Sequence, residues 1–162
     1  MVFLGLGSNM GDREENILAA VRALHKHAKI SVKAVSSLYE TAPFGVKAQD
    51  DFLNAVAGIS TTLAPYPLLT ECLHIEQSLG RVRGSKWGPR IIDIDVLVYD
   101  DIAINCAQLT IPHPFLAQRR FVLVPLAEIA GSQVIAWGKT ADELLEQTTD
   151  SLTVRLYKKL VL

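Results

Sequence analysis

Two carboxylates lie side by side on a strongly apolar segment, IIDIDVLVY (91–99). In an extended chain Asp93 and Asp95 project from the same face, about 6–7 Å apart along the strand. Carboxylates at this spacing repel each other, so leaving both unpaired in a half-buried sheet is unfavourable. Bound Mg²⁺, as one ion or as two ions about 3.5–4 Å apart, relieves the repulsion and leaves positions for phosphate oxygens and water. The alternative is a solvated strand face whose carboxylates form salt bridges with nearby arginines.

The ten residues before this strand, RVRGSKWGPR (81–90), form a basic loop. Its basic and aromatic side chains are Arg81, Arg83, Lys86, Trp87 and Arg90. Guanidinium groups bind phosphate oxygens in bidentate fashion, so several of them converging on a polyphosphate make a clamp. A basic loop that runs directly into a metal-binding strand therefore suits transfer from a nucleoside triphosphate. The loop alone could equally be a solvated turn or a weak nucleic-acid patch.

A second group of residues could bind a flat heterocycle. In DFLNAVAGIS, alternation places Phe52 and Asn54 on the face opposite Leu53, which suits stacking combined with hydrogen bonds to a ring edge. An edge asparagine that caps the preceding loop is an equally good interpretation. His113 lies between two prolines and Arg119 precedes an apolar run, and either side chain could be ordinary surface.

Composition limits the class of protein. The 162 residues suffice for one domain (1–162) with one sizeable core, and 49% of them are hydrophobic. A formal net charge of −1 creates no global attraction to nucleic acid or to a membrane, and no apolar run of transmembrane length is present. Two cysteines do not make a disulfide framework, so we expect reduced thiols in a cytoplasmic protein.

The elements that must position these residues follow from periodicity. Strands are predicted at 2–6, 30–40, 52–63 and 91–99, with helices after Asp12 and over 64–80. In the first helix, residues 17, 21, 24 and 28 form the apolar stripe, and Thr140 with Glu143 caps a late helix before a final strand. The order βαββαβ predicts an α+β sandwich, an antiparallel-rich sheet with helices on one face and added C-terminal elements.

The glycines of GLGSNMG, at positions 5, 7 and 11, invite comparison with dinucleotide-binding loops. Their spacing misses G-x-G-x-x-G by one residue. We interpret the segment as a tight turn between a strand and a helix, with a structural role.

The stretch KWGPRIIDIDV (86–96) resembles the signature of the 6-hydroxymethyl-7,8-dihydropterin pyrophosphokinases of folate biosynthesis. The similarity extends, in order, through GLGSNMGD, SSLYETAPFG, DFLNAV, GRVR, IPHP and RFVLVPLAEIA, from about residue 2 to residue 131. The resemblance implies a ferredoxin-like fold and transfer of pyrophosphate from ATP to the pterin hydroxymethyl group, with two Mg²⁺ ions. It also implies small-molecule substrates, ATP and hydroxymethyldihydropterin, without nucleic acid or membrane partners, and a monomer.

Residue roles are carried over from the same resemblance. Asp93 and Asp95 correspond to the metal ligands, and Arg81 and Arg90 to the arginines nearest the transferred phosphates. The residues implied to contact ATP are Glu76, Arg83, Trp87, His113 and Arg119. The residues implied to bind the pterin are Thr41, Phe44, Phe52, Asn54 and Phe121. Pro114 departs from relatives that have an aromatic residue against ATP there, and residues 132–162 match too little to be assigned chemistry.

Two other functions fit parts of the pattern. A nucleotidyltransferase that attacks the α-phosphorus would use the acid pair and the basic loop equally well. An RNA-binding module shares the βαββαβ order, but it needs exposed aromatic residues on the two central strands. Here each of those strands carries a single Phe, without an accompanying basic and aromatic run.

Overall fold

The computed structural model describes residues 1–43, 48–82 and 88–161. Six of the strands in this part of the chain form one sheet with the order β10-β3-β4-β1-β5, and β2 pairs with the far end of β4. Every pairing between these strands is antiparallel. The elements are β1 (Val2–Ser8), α1 (Arg13–Lys26), β2 (Ile30–Val35), β3 (Leu38–Thr41), β4 (Phe52–Thr61), α2 (Pro65–Ser78), β5 (Asp93–Tyr99), β6 (Ile104–Asn105), β7 (Thr110–Ile111), a 3₁₀ turn (Leu116–Gln118), α3 (Arg120–Ala130), β8 (Val134–Ala136), β9 (Lys139–Thr140), α4 (Ala141–Gln147) and β10 (Val154–Lys158).

Helices α1 and α2 cover one face of the sheet. Helix α1 begins as predicted, because the Asp12 carboxylate accepts the backbone N–H of Glu15. Its apolar stripe packs on alternate residues of β1, β4 and β5. One member of the predicted stripe is wrong: Ala28 is exposed beyond the end of the helix at Lys26, and Ala20 is buried instead.

The strand predicted over 30–40 is divided into β2 and β3 by a serine pair. The Ser36 hydroxyl accepts the N–H of Val56 at 2.9 Å, so a side-chain oxygen replaces a backbone carbonyl of the ladder. The Ser37 N–H and hydroxyl both donate to the carboxylate of Glu128 on α3, at 2.8 and 2.7 Å. Both serines therefore direct hydrogen bonds away from the regular strand ladder, and the strand ends there.

The added helix α3 covers part of the opposite face. It packs with α4 on a second apolar cluster that includes Phe3, Val56 and Leu97. Because Phe3 is only 2% exposed, the central strand β1 presents no aromatic surface of the kind an RNA-binding sheet requires. The remainder of this face, towards the ends of β4 and β5, is left open as a cavity.

The chain after residue 131 completes the fold. The capping of α4 by Thr140 is confirmed, since its hydroxyl accepts the N–H of Glu143 at 3.1 Å. The predicted final strand is β10, which pairs with β3 at the edge of the sheet. Among the described helices, none is both long and apolar enough to cross a membrane.

Candidate active site

The floor of the open cavity is a row of glycines between polar side chains. Strand β1 lies between β4 and β5, and its Gly7 is paired with Asn54 on one side and with Asp93 on the other. Gly5 is likewise paired with Asp95. A Cβ on Gly7 would lie 3.0 Å from Oδ1 of Asn54, which is tighter than most such contacts and would require the amide or the strand to shift. The missing side chains therefore leave room for a ligand between the asparagine and the acid pair, and the GLGS turn is more than a structural connection.

The cavity has a volume of about 270 Å³ and brings together residues that are distant in the sequence. Of the predicted site residues, those that line it are Thr41, Phe52, Asn54, Arg90, Asp93, Asp95, His113, Arg119 and Phe121. Arg81 is not among the lining residues, but its guanidinium group contacts the carboxylate of Asp93, which is. Phe44, Arg83 and Trp87 lie outside the described residues.

Asp93 is held by two arginines of the basic segment. Its Oδ1 lies 2.8 Å from Nη1 of Arg81, and its Oδ2 lies 2.8 Å from Nη1 of Arg90. Each of the three side chains is about a quarter exposed or less. The arginine-paired arrangement that sequence reasoning left as the alternative is thus present at Asp93. It also places both guanidinium groups beside the cavity.

Asp95 is in a different environment from Asp93. Burial, and then the negative charge of Asp93, raises the pKa of its carboxyl group to about 7. Neither a hydrogen bond nor an ion pair joins this carboxylate to any residue that the structure describes, and the charges that oppose the rise in its pKa are those of Arg119 and then Arg90. A half-buried carboxylate that faces a cavity and has no hydrogen-bonding partner among the described residues has the chemistry of a ligand for a hard cation.

The protein alone supplies an incomplete set of cation ligands. Within residues 1–43, 48–82 and 88–161, no group of three or more His, Cys, Asp and Glu side chains is arranged to hold a metal ion. Asp93 and Asp95 provide two carboxylates on one strand face. The residues therefore fit Mg²⁺ that takes its remaining ligands from substrate phosphates and water.

Glu76 lies beneath the site and does not line the cavity. Its side chain is buried, it accepts the N–H of Ile94 at 2.6 Å, and it pairs with Arg81 at 2.8 Å. Burial raises the pKa of its carboxyl group, while the Ile94 N–H and the charge of Arg81 oppose that rise. In this structure Glu76 anchors Arg81 to β5, so it supports an arginine of the site from below.

The opposite end of the cavity carries paired polar groups. The Asn54 side-chain amide donates to the Thr41 hydroxyl at 2.9 Å, and both residues are almost fully buried. Each retains further hydrogen-bonding capacity, since Thr41 still has its own proton and Asn54 its carbonyl oxygen. The residues predicted to bond a heterocycle edge therefore fix one another in place.

Two aromatic rings flank the guanidinium group of Arg119. Its Cζ lies 4.9 Å from the ring centre of Phe115 and 5.4 Å from that of Phe121. Sequence reasoning missed Phe115, although the adjacent Pro114 had been singled out for lacking an aromatic group. The ring of Phe115 lines the cavity one residue further along the chain.

His113 is a neutral hydrogen-bonding group at the cavity wall. Burial, followed by the positive charge of Arg119, lowers the pKa of its imidazole to about 4. Its Nδ1 accepts the N–H of Phe115 at 3.1 Å. The proton of the neutral ring is therefore on Nε2, which can donate.

Asn9 connects two loops of the site and was missed at the sequence level. It is 2% exposed. Its amide donates to Oε1 of Gln49 at 2.8 Å and to the carbonyl of Asp50 at 3.0 Å. Its Oδ1 accepts the N–H of Arg90 at 2.8 Å. An asparagine inside a turn gave no sequence signal for this role, because its partners come from segments 40 and 81 residues away.

The fold and cavity together define a class: an α+β protein whose open sheet face carries an acid and arginine cluster beside a cavity lined by Phe52, Asn54 and Phe121. Comparisons with known proteins agree. The family model of 7,8-dihydro-6-hydroxymethylpterin-pyrophosphokinase matches residues 3–131. The chain belongs to this family.

Individual relatives support the same family. The 2-amino-4-hydroxy-6-hydroxymethyldihydropteridine pyrophosphokinase of Methylorubrum extorquens is 49% identical over 149 residues, covering 92% of this chain and 94% of the relative. The protein of the same name from Bacillus subtilis is 42% identical, covering 98% of this chain and 91% of the relative. A solved structure of Plasmodium falciparum HPPK-DHPS A437G shares the fold, with a TM-score of 0.67 and 15% identity, over 90% of this chain and 45% of that one.

Proposed function

We propose that this chain transfers pyrophosphate from ATP to the hydroxymethyl group of 6-hydroxymethyl-7,8-dihydropterin in folate biosynthesis, and that the transfer takes place in the glycine-floored cavity. The observation that supports this most directly is the row Asn54–Gly7–Asp93, in which an amide and a carboxylate lie on opposite sides of an open floor. A substrate with a ring and a reactive alcohol fits between them.

Asp93 and Asp95 would hold Mg²⁺, two ions by family resemblance. Bound Mg²⁺ offsets charge on the phosphate oxygens and orients them. Asp95 is available without rearrangement, whereas Asp93 must release at least one of its two arginines. In this assignment Arg81 and Arg90 exchange the Asp93 carboxylate for oxygens of the triphosphate, which carry more charge.

Positioning and charge account for the chemistry. The pterin hydroxyl oxygen forms a bond to the β-phosphorus and gives up its proton to water, the bond between that phosphorus and the bridging oxygen of the α-phosphate breaks, and AMP leaves with that oxygen. Arg81 and Arg90 offset charge on the transferred and leaving oxygens, so that no side-chain base is required. By resemblance, Arg83 and Trp87 close over the triphosphate, and His113, Arg119 and Glu76 belong to the ATP side.

The pterin occupies the other half of the cavity. Thr41 and Asn54 bond the ring edge, and Phe52 and Phe121 stack on its faces, with Phe44 assigned by resemblance as a cover. The guanidinium group of Arg119 lies 5.4 Å from the ring centre of Phe121 and 4.9 Å from that of Phe115. In this assignment the flexible side chain of Arg119 turns towards Phe115 and the phosphates when the ring binds, while its backbone at the start of α3 stays in place. A monomer in the cytoplasm remains our prediction.

Product analysis tests the reaction. With ATP, Mg²⁺ and the pterin alcohol, we expect AMP and the pterin diphosphate in equal amounts. Release of inorganic pyrophosphate would indicate attack at the α-phosphorus and a nucleotidyltransferase.

A fluorescence titration with a pterin analogue supports the site if binding strengthens when a non-hydrolysable MgATP analogue is present. Analogue binding that ignores the nucleotide would contradict it.

A further inference from the structure

Helix α3 begins at the cavity without a cap of its own. Its N-cap residue is Arg119, whose side chain makes no capping hydrogen bond. Arg119 and Phe121, which stand on either side of the first helical residue, both line the cavity. The first N–H groups of a helix have no partner inside the helix, so an uncapped start is prone to fray. Two proposed ligand-contacting residues thus lie where the helix is weakest.

Asp150 supplies the missing acceptor from the far end of the chain. Its Oδ2 accepts the N–H of Arg120 at 2.9 Å, 30 residues away in sequence. Its Oδ1 accepts the N–H of Leu152 at 3.0 Å, so the carboxylate is itself fixed. The Arg120 Nε donates to the carbonyl of Leu152 at 3.2 Å, which closes a second link between the same two segments. A negative charge at this end of α3 also interacts favourably with the helix dipole.

The C-terminal segment that contains Asp150, residues 150–158, also contacts the opposite wall of the cavity. It continues into β10, whose Val154 pairs with Thr41 of β3. From β10, Arg155 forms ion pairs with Glu40 at 3.1 Å and with Asp51 at 3.3 Å, directly before Phe52. The segment therefore touches both sides between which the ring is proposed to bind.

We propose that Asp150 is a positioning residue for the reaction: by capping α3 at Arg120 it holds Arg119 and Phe121 in their ligand-contacting places. This inference rests on the proposed roles of those two residues. Asp150 lies outside residues 3–131 matched by the family model, in the part of the chain to which sequence reasoning assigned no chemistry. In this proposal the chain after residue 131 helps to position residues of the site.

A matched pair of variants separates positioning from general stability. Asp150→Ala removes the remote cap of α3, and Thr140→Ala removes the cap of α4, which lies away from the cavity. Both should lower the melting temperature to a similar degree, because each loses one N-cap interaction. Affinity for a pterin analogue, measured with a MgATP analogue well below both melting temperatures, should fall about threefold to fivefold in Asp150→Ala only, because fewer molecules hold the competent arrangement. Asp150→Asn, which keeps an acceptor oxygen, should recover most of the affinity.

A second readout needs no ligand. With fluorine-labelled phenylalanine, the resonance assigned to Phe121 by its loss in Phe121→Leu should shift or broaden in Asp150→Ala and remain in place in Thr140→Ala. If Asp150→Ala matches Thr140→Ala in both affinity and the Phe121 resonance, the positioning role is overturned. If the wild-type protein binds no pterin analogue, the proposed function fails instead, and the resonance still tests the cap.

Discussion

Nη1 of Arg90 lies 2.8 Å from Oδ2 of Asp93, three residues later in the chain. The ion pair neutralises one of two adjacent carboxylates and leaves Asp95 without a hydrogen-bonding or ion-pairing partner among the described residues. The two acids, identical in the sequence pattern, therefore differ in the fold. Their substitution should have opposite effects on stability.

We expect Asp95→Asn to reduce turnover at least about 100-fold at saturating Mg²⁺ while leaving the protein as stable as the wild type or more stable. Removing a half-buried charge that arginines compensate only in part relieves a desolvation penalty and should raise the free energy of unfolding by on the order of 1 kcal/mol. Turnover and thermal unfolding measure the two effects. Asp93→Ala is the comparison: it removes the ion pair of Arg90 and leaves Arg81 with Glu76 alone, and should lower the free energy of unfolding by about 1–3 kcal/mol. Full turnover by Asp95→Asn would remove the basis of the metal assignment.

Gly7→Ala should weaken binding of the pterin analogue. The new Cβ would lie 3.0 Å from Oδ1 of Asn54, so the amide must shift away from Thr41 or the strand must move. Titration should show at least about a tenfold loss of affinity, equal to about 1.4 kcal/mol. Gly138→Ala is not an adequate control, because Gly138 has a φ of +68° and would add backbone strain. Gly5→Ala is the better comparison, because its nearest neighbours are the flexible Leu97 side-chain carbons at 3.4–3.6 Å. It fills floor space beside Asp95 without pressing on Asn54, so it should cost less affinity than Gly7→Ala. Equal affinities in wild type and Gly7→Ala would show that the floor is not the ring site.

Asn9→Ala should uncouple the segment around Gln49 and Asp50 from Arg90. It removes three hydrogen bonds, and the stranded N–H of Arg90 should lower the free energy of unfolding by about 1–3 kcal/mol. If the link also aligns Arg90, the KM for ATP rises. Asn16→Ala provides the control, because its side-chain amide, on α1, donates to Ser8 and Met10 of the preceding turn and not to the segments around Gln49 or Arg90 that the structure describes. If the KM for ATP changes equally in both variants, Asn9 contributes to the stability of the fold and not to the alignment of Arg90.

His113 should make the protein less stable in mild acid. Its pKa is about 4 in the folded protein and about 6.5 when unfolded. Between these values the unfolded chain binds more protons, so the free energy of unfolding rises with pH from about 4 to about 6.5 and is lost as pH falls through that window. Chemical denaturation near pH 7.5 and near pH 5 should show a larger loss for the wild type than for His113→Gln. Identical losses would mean that the imidazole is not buried as described.

The sequence by itself determined the elements and the candidate chemistry. Strand alternation put Phe52 with Asn54 and Asp93 with Asp95, because side chains on an extended chain alternate between faces. Capping by Asp12 and Thr140 followed from local residue order. The acid pair and the neighbouring arginines were likewise visible as spacing, and the resemblance assigned them to a family.

Only the tertiary structure decided which groups meet. The strand order places β1 between β4 and β5, which turns an apparently structural glycine turn into the cavity floor. Other segments pack against β5, and this packing decides three features of the site. They are the pairing of Asp93 with two arginines, the lack of such a partner at Asp95, and the position of Glu76 beneath Arg81. Asn9 and Asp150 act over 30 to 81 residues of sequence. Local periodicity carries no information about such distant pairs, because packing of the whole chain, and not the conformation of any one segment, brings their atoms into contact.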